Sequence, residues 1–256
     1  MGVKPIKGLL LIAMLSSSVA EGQQNLLPHE WILPSSARAE GIGGTFFTTN
    51  LTVSNTGTED AALALKFLGN GIDGRQGTQV LDFLAAGKSK TYVDVLNLAF
   101  GLSSGFGAIR IASSSSSMNI VGQTSTPASG GGTYGQSVPA FGSAEKITSG
   151  TVRTITAIAE TDSFRTNLIL ANATESESVV DVSLVSDAGA TLGSKSYSLP
   201  PLGMIQITRI VRDMGVTSNI SLATLRLSTA TSNGAFCGYA VVIDNVTGDP
   251  RTLLPR

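Results

Sequence analysis

Phe47-Thr-Thr-Asn-Leu-Thr-Val-Ser-Asn55 decides how this chain folds, because it occurs twice. Phe164-Arg-Thr-Asn-Leu-Ile-Leu-Ala-Asn172 repeats it at an offset of 117 residues (164 − 47), with Phe, Thr, Asn, Leu and Asn in the same places. At that offset Leu63, Leu65 and Phe67 meet Val180, Val182 and Leu184, and the residues between are small or polar in both copies. Apolar residues at every second position mark a strand with one face in a core. Farther on the offset is one residue shorter. Ala108-Ile-Arg-Ile111 then meets Thr224-Leu-Arg-Leu227, and Ile120-Val-Gly-Gln123 meets Phe236-Cys-Gly-Tyr239. Val138-Pro139 meets Leu254-Pro255. A period this long exceeds a solenoid repeat and matches a whole small domain.

Each copy reads as seven or eight short strands. In the first copy they fall near 30–37, 46–55, 61–69, 78–84, 88–93, 106–112, 118–126 and 133–138. In the second they fall near 151–160, 164–172, 178–186, 192–199, 203–208, 221–228, 235–243 and 250–254. Turn residues separate them: Asn55-Thr-Gly57, Asn70-Gly71, Asp73-Gly74, Ala86-Gly87, Asp187-Ala-Gly189 and Gly248-Asp-Pro250. One short helix per copy is expected, at Val93–Phe100 and Ile207–Met214, each closing on a glycine, Gly101 or Gly215. Ser125–Gly132 reads as a flexible loop and Ser143–Gly150 as the linker. The expected fold is all-β: two tandem antiparallel β-sandwiches, over 21–145 and 146–256, each with one short helix.

The first 20 residues stand apart. Lys4 and Lys7 precede an apolar run, Gly8–Leu15, and Ser18-Val-Ala20 supplies the small residues of a cleavage site. This is the pattern of a secretory signal peptide. The run is too short to cross a bilayer, which takes about 20 residues, and no other segment reads as transmembrane. No cysteine follows it, which argues against a lipid anchor. Removing Lys4 and Lys7 from 17 basic residues leaves 15 against 18 acidic ones, and no basic patch stands out. That distribution argues against nucleic-acid and anionic-membrane partners. The single cysteine, Cys237, cannot form a disulfide within the chain, and its apolar setting, Gly234–Ile243, reads as buried.

Three stretches of the first copy together resemble a repeat of exported bacterial proteins: Ile32-Leu-Pro-Ser-Ser-Ala37, Gly44-Thr-Phe-Phe-Thr-Thr-Asn-Leu51 and Gly132-Thr-Tyr-Gly-Gln-Ser-Val-Pro139. The resemblance implies an immunoglobulin-like sandwich, found in tandem or appended to exported enzymes. It brings no activity and no functional residues. The second copy departs from it, with Thr247-Gly-Asp-Pro250 in place of the Gly-Thr-Tyr-Gly-Gln stretch.

No residue pattern reads as a catalytic, cofactor-binding or metal site. The single histidine, His29, lies near the start of the mature chain, so a Ser–His hydrolase would depend on it alone. Gly101-Leu-Ser-Ser-Gly105 matches G-x-S-x-G around Ser103, but that motif needs a strand before it and a helix after it. Zinc and EF-hand patterns are missing, and the nearest calcium candidate, Asp244–Asp249, reads as a hairpin turn. Asp60, Asp82, Asp94, Glu160, Asp162 and Asp213 fall mostly at turns or solvated positions, so a glycosidase pair finds no obvious seat. Trp31 is expected to pack at the start of the first copy. Leu51 and Leu168 should point inward, and Asn50 and Asn167 should satisfy backbone groups.

The expected function is therefore non-catalytic: an exported binding or display module, at the cell surface or outside it, with the periplasm as the alternative compartment. Its partner would be a protein or glycan, engaged by the Ser113–Ser117 and Ser125–Gly132 loops. Two other readings stand beside it. One is a self-assembling structural subunit of a surface layer or filament. The other is an exported hydrolase with an unrecognised carboxylate site.

Overall fold

The computed structural model describes residues 27–41, 44–128 and 130–256, so the leader segment lies outside the described residues. The first repeat runs β1 (His29–Glu40), β2 (Phe46–Asn55), β3 (Ala61–Gly69), β4 (Gln79–Leu84), β5 (Ser89–Tyr92), α1 (Val95–Leu98), β6 (Gly105–Ser113), β7 (Met118–Pro127) and β8 (Thr133–Pro139). A two-residue strand, β9 (Ile147–Thr148), precedes the second repeat. That repeat runs β10 (Arg153–Glu160), β11 (Phe164–Asn172), β12 (Ser178–Ser186), β13 (Thr191–Leu199), β14 (Met204–Ile207), α2 (Ile210–Asp213), β15 (Ile220–Ser228), β16 (Ala235–Asp244) and β17 (Pro250–Leu253). Among the described residues no helix is long and apolar enough to cross a membrane.

Both repeats wire their strands alike, and among the described residues every strand-to-strand pairing within a repeat is antiparallel. The second repeat has two layers, β10-β15-β12-β13 and β14-β11-β16-β17, with β9 also on β16. The first repeat contains the corresponding layers, β1-β6-β3-β4 and β5-β2-β7-β8. There β1 joins them: it pairs with β6 from His29 to Arg38, then with β2 from Arg38 to Glu40. Leu51, Val53, Leu63, Leu65, Ile109 and Ile111 fill the first sandwich, all at most 1% exposed. Leu168, Leu170, Val180, Val182, Leu184, Leu225 and Leu227 fill the second. Leu51 and Leu168 point inward as expected, both fully buried.

The helices shrink to single turns, and what starts them is unusual. Asp94 (φ 44°) and Arg209 (φ 53°) precede α1 and α2 in the left-handed conformation, which costs a residue with a Cβ about 1 kcal/mol. Asn50 Oδ1 accepts from the Asp94 N–H at 2.9 Å, and Asn167 Oδ1 accepts from the Arg209 N–H at 3.2 Å. The shared asparagine thus anchors a strained helix entry in both copies. The helices stop at Gly101 and Gly215, both at positive φ.

Two expectations about loops need correction. Within Ser125–Gly132, Ser125 to Pro127 continue β7, pairing with β8, because Gly135 lets the strands close in. A Cβ at Gly135 would stand 2.1 Å from the Thr124 carbonyl. The linker Ser143–Gly150 is also structured. Ile147 is fully buried and pairs with Phe236.

Candidate functional site

β11 and β16 carry apolar residues without alternation: Leu168-Ile-Leu-Ala171 and Phe236-Cys-Gly-Tyr-Ala-Val-Val242. A strand of that kind is covered on both faces. One face, with Leu168, Leu170, Phe236 and Ala240, belongs to the second core. The other, with Ile169, Ala171, Cys237, Tyr239 and Val241, joins the core of the first repeat. The two sandwiches are therefore stacked sheet on sheet. Hydrogen bonds fix the stack: the Gly71 N–H donates to the Met204 carbonyl (2.7 Å), the Gly74 N–H to the Pro201 carbonyl (2.9 Å) and the Gln206 N–H to Asn70 Oδ1 (3.1 Å). Gln136 Nε2 donates to the Tyr239 hydroxyl at 3.4 Å while its Oε1 accepts from Thr252. Burial pushes the Tyr239 hydroxyl up to about 12 and the Cys237 thiol to about 12. Cys237 is thus a core residue, not an exposed nucleophile.

Toward Phe164 and Asp244 the same face of β11 and β16 opens into a cleft of about 690 Å³. Ile169, Val241 and Ile243 form its floor, and Phe47, Phe106 and Tyr134 its facing wall. Phe47 and Tyr134 meet edge to face at 6.2 Å. Tyr134 and Gln136 come from the Gly132–Pro139 stretch and Phe47 from the Gly44–Leu51 stretch. Charge gathers on the second-repeat side. Arg165 and Arg209 line the cleft, and Glu40 lies across from them on the first-repeat wall. Arg209 is tethered through Nε to Glu160 Oε1 at 3.3 Å. Arg165 donates to Asn245 Oδ1 at 2.7 Å. Asn245 is itself held, since its Nδ2 donates to the Asp162 carbonyl (2.9 Å) and its N–H to the Ser163 carbonyl (2.8 Å). Burial, and secondarily the neighbouring Arg209 charge, bring Arg165 below the usual guanidinium range.

The residues singled out in the sequence scatter. Ser103 lies just before β6, preceded by α1 and followed by a strand, the reverse of a nucleophile elbow. His29 pairs with Ser113 at the far end of that strand. Eight residue steps separate the two ends of β6, roughly 26 Å at strand rise. Trp31 packs on the first core, as expected. The Asp244–Asp249 turn uses its carboxylate locally: Asp244 Oδ1 accepts from the N–H groups of Val246 (2.7 Å) and Thr247 (2.9 Å). Gly248 supplies the positive φ of 77°. Donation from the Thr247 and Val246 N–H groups holds the Asp244 carboxyl below its usual range.

The carboxylates do not converge either. Asp82 bonds Tyr92, Asp94 pairs with Arg38, and Asp213 bonds Tyr197 and Lys195. Asp60 accepts from the Ala86 N–H. Glu160 departs from the expected solvated position. It is fully buried, because Arg209, Arg212 and the Val211 N–H (3.2 Å) surround its two oxygens. The proposed recognition loops sit at opposite ends of β7. In the Ser113–Ser117 loop Ser115 N–H donates to Ser113 Oγ and Ser117 N–H to Ser115 Oγ, while Ser114 Oγ accepts from the Ala62 N–H of β3. Only the β7–β8 end borders the cleft. No protein-family model, no curated protein and no solved structure matches this chain.

Proposed function

We propose that this is an exported, non-catalytic binding protein that works at the cell surface or outside it, and that its ligand lies in the cleft between the repeats. The leader pattern over residues 1–20 supports export. The cleft carries the rest of the reading. It is preformed, mainly apolar and furnished with a few placed polar groups, which is the character of ligand sites in this size range. The immunoglobulin-like assignment draws support from strand pairing: second with fifth (β11–β14) and third with sixth (β12–β15) are immunoglobulin pairs. The first and seventh strands, β10 and β16, sit in the opposite sheets.

Nile red, an uncharged apolar dye, tests the cleft. It should bind the purified chain at one site and gain fluorescence. Ile243→Trp, which narrows the cleft at its floor, should weaken that gain while the variant still melts cooperatively. Undiminished binding by the variant would place the ligand elsewhere.

Self-assembly remains a second reading because of β4. This edge strand pairs only with β3 among the described residues, and its outward residues Leu81 and Phe83 are 58% and 56% exposed. Exposed apolar edges template pairing with another chain. Light scattering over a concentration series should then show assembly that Leu81→Lys with Phe83→Lys abolishes. A monomer throughout removes this reading.

A further inference from the structure

Building on the cleft reading, we infer that the ligand is an apolar carboxylate, with its carboxyl group on the Arg165 guanidinium and its apolar body against Phe47 and Tyr134. The cleft is chemically polarised. Its floor of Val241 and Ile243 and its wall of Phe47 and Tyr134 offer apolar surface to a hydrocarbon or aromatic group. Its rim on the second repeat offers positive charge.

Arg165 is the group that asks for an anion. Its partner is the neutral Asn245 amide oxygen, and among the described residues no carboxylate lies in ion-pair range of it. A guanidinium carries five N–H donors in a rigid fork suited to a carboxylate. The pair of bonds that fixes Asn245 holds the Arg165 side chain in place, so little ordering remains to be done on binding. Arg209 sits close enough to weaken the charged form of Arg165. Glu160 partly offsets Arg209 and leaves Arg165 unmatched. A bound carboxylate relieves that repulsion.

Glu40 sets the direction. It lies on the opposite wall, where it repels an anion and so disfavours the reversed orientation. Two sources share this chemistry: a free apolar acid, or the C-terminus of a peptide ending in apolar residues.

The test compares each acid with its amide, which removes the charge and keeps the shape. Binding of 2-naphthylacetate and 2-naphthylacetamide to the full chain is measured by calorimetry, beside acetyl-Leu-Phe with a free or amidated C-terminus. At least one acid should bind tenfold or more tightly than its amide, and added salt should narrow the gap. Arg165→Gln should bring that acid down to its amide, and Arg165→Lys should recover part of the difference. Phe47→Ala should weaken acid and amide alike. Preference confined to the naphthyl acid marks a free acid as the source, and preference confined to the peptide marks a C-terminus. Equal binding of acid and amide in both pairs overturns the carboxylate assignment, as does an acid preference that survives Arg165→Gln. In those cases weakening by Phe47→Ala, or Nile red binding, keeps the cleft itself. Failure of every probe, Nile red included, overturns both.

Discussion

Expressed alone, the second repeat (residues 147–256) should fail to stay folded and soluble. In the whole chain Ile169, Ala171, Met204, Cys237, Tyr239 and Val241 are each at most 4% exposed. They are buried in the core of the first repeat rather than their own. Cutting the chain returns that face to water. At about 1.5–3 kcal/mol for each large apolar side chain, the loss is on the order of 10 kcal/mol. That equals the whole stability of a typical domain. The separated repeat also loses the Met204 and Pro201 carbonyl bonds to Gly71 and Gly74, and gains an apolar sheet face of the kind that aggregates. Near-UV circular dichroism and light scattering check this. For the same reason the intact chain should melt in one calorimetric transition. A soluble fragment that melts cooperatively within 5 °C of the whole chain would show the stacking to be weak.

The strands were legible because they are amphipathic. In β12 Val180, Val182 and Leu184 fall on the buried face, with Asp181 and Ser183 between them facing out, and a period of two encodes which face is buried. How the repeats stack does not follow from strand pattern alone, although a signal for it is present. Phe236–Ile243 stays apolar apart from Gly238, whereas its counterpart turns polar after Gly122, at Gln123-Thr-Ser-Thr126, and a doubly apolar strand demands a second cover. Finding that cover needs the partner surface, which local pattern does not supply. The cleft inherits this: Arg165 and Tyr134 are 31 residues apart in sequence and on different sandwiches. Glu160 reads as solvated in the sequence for a related reason. Its ligands Arg209 and Arg212 approach from about 50 residues away, and a buried carboxylate is recognisable only with them. The asparagines, by contrast, were readable as structural because each acts in both copies.

Asn172→Ala should cost about 3–4 kcal/mol, more than alanine at Asn50 or Asn167. Asn172 is fully buried at the end of β11. Its Nδ2 donates to the carbonyls of Ser176 (2.8 Å), Pro200 (3.0 Å) and Leu199 (3.3 Å). Its Oδ1 accepts from the N–H (2.9 Å) and hydroxyl (2.8 Å) of Thr174. One amide thus ties the β11–β12 turn to the end of β13. Alanine leaves at least two backbone groups unpaired, at about 1–3 kcal/mol each, and opens a small void. For a chain of this length 1 kcal/mol moves the melting temperature by about 2–4 °C, so a fall near 10 °C is expected. Asn172→Asp should be at least as damaging, since a carboxylate accepts and cannot donate and would face three carbonyl oxygens. Asn50→Ala removes a single accepted bond from a half-buried side chain, and about 1 kcal/mol should go with it. Asn55 repeats the arrangement of Asn172: its Nδ2 donates to the Glu59 and Leu84 carbonyls and its Oδ1 accepts from the Gly57 N–H. Asn55→Ala should therefore rank with Asn172→Ala. Thermal melts of the four variants decide the matter. An Asn50 variant that melts below the Asn172 variant would mean that the left-handed helix entry, and not the turn, is what the shared motif protects.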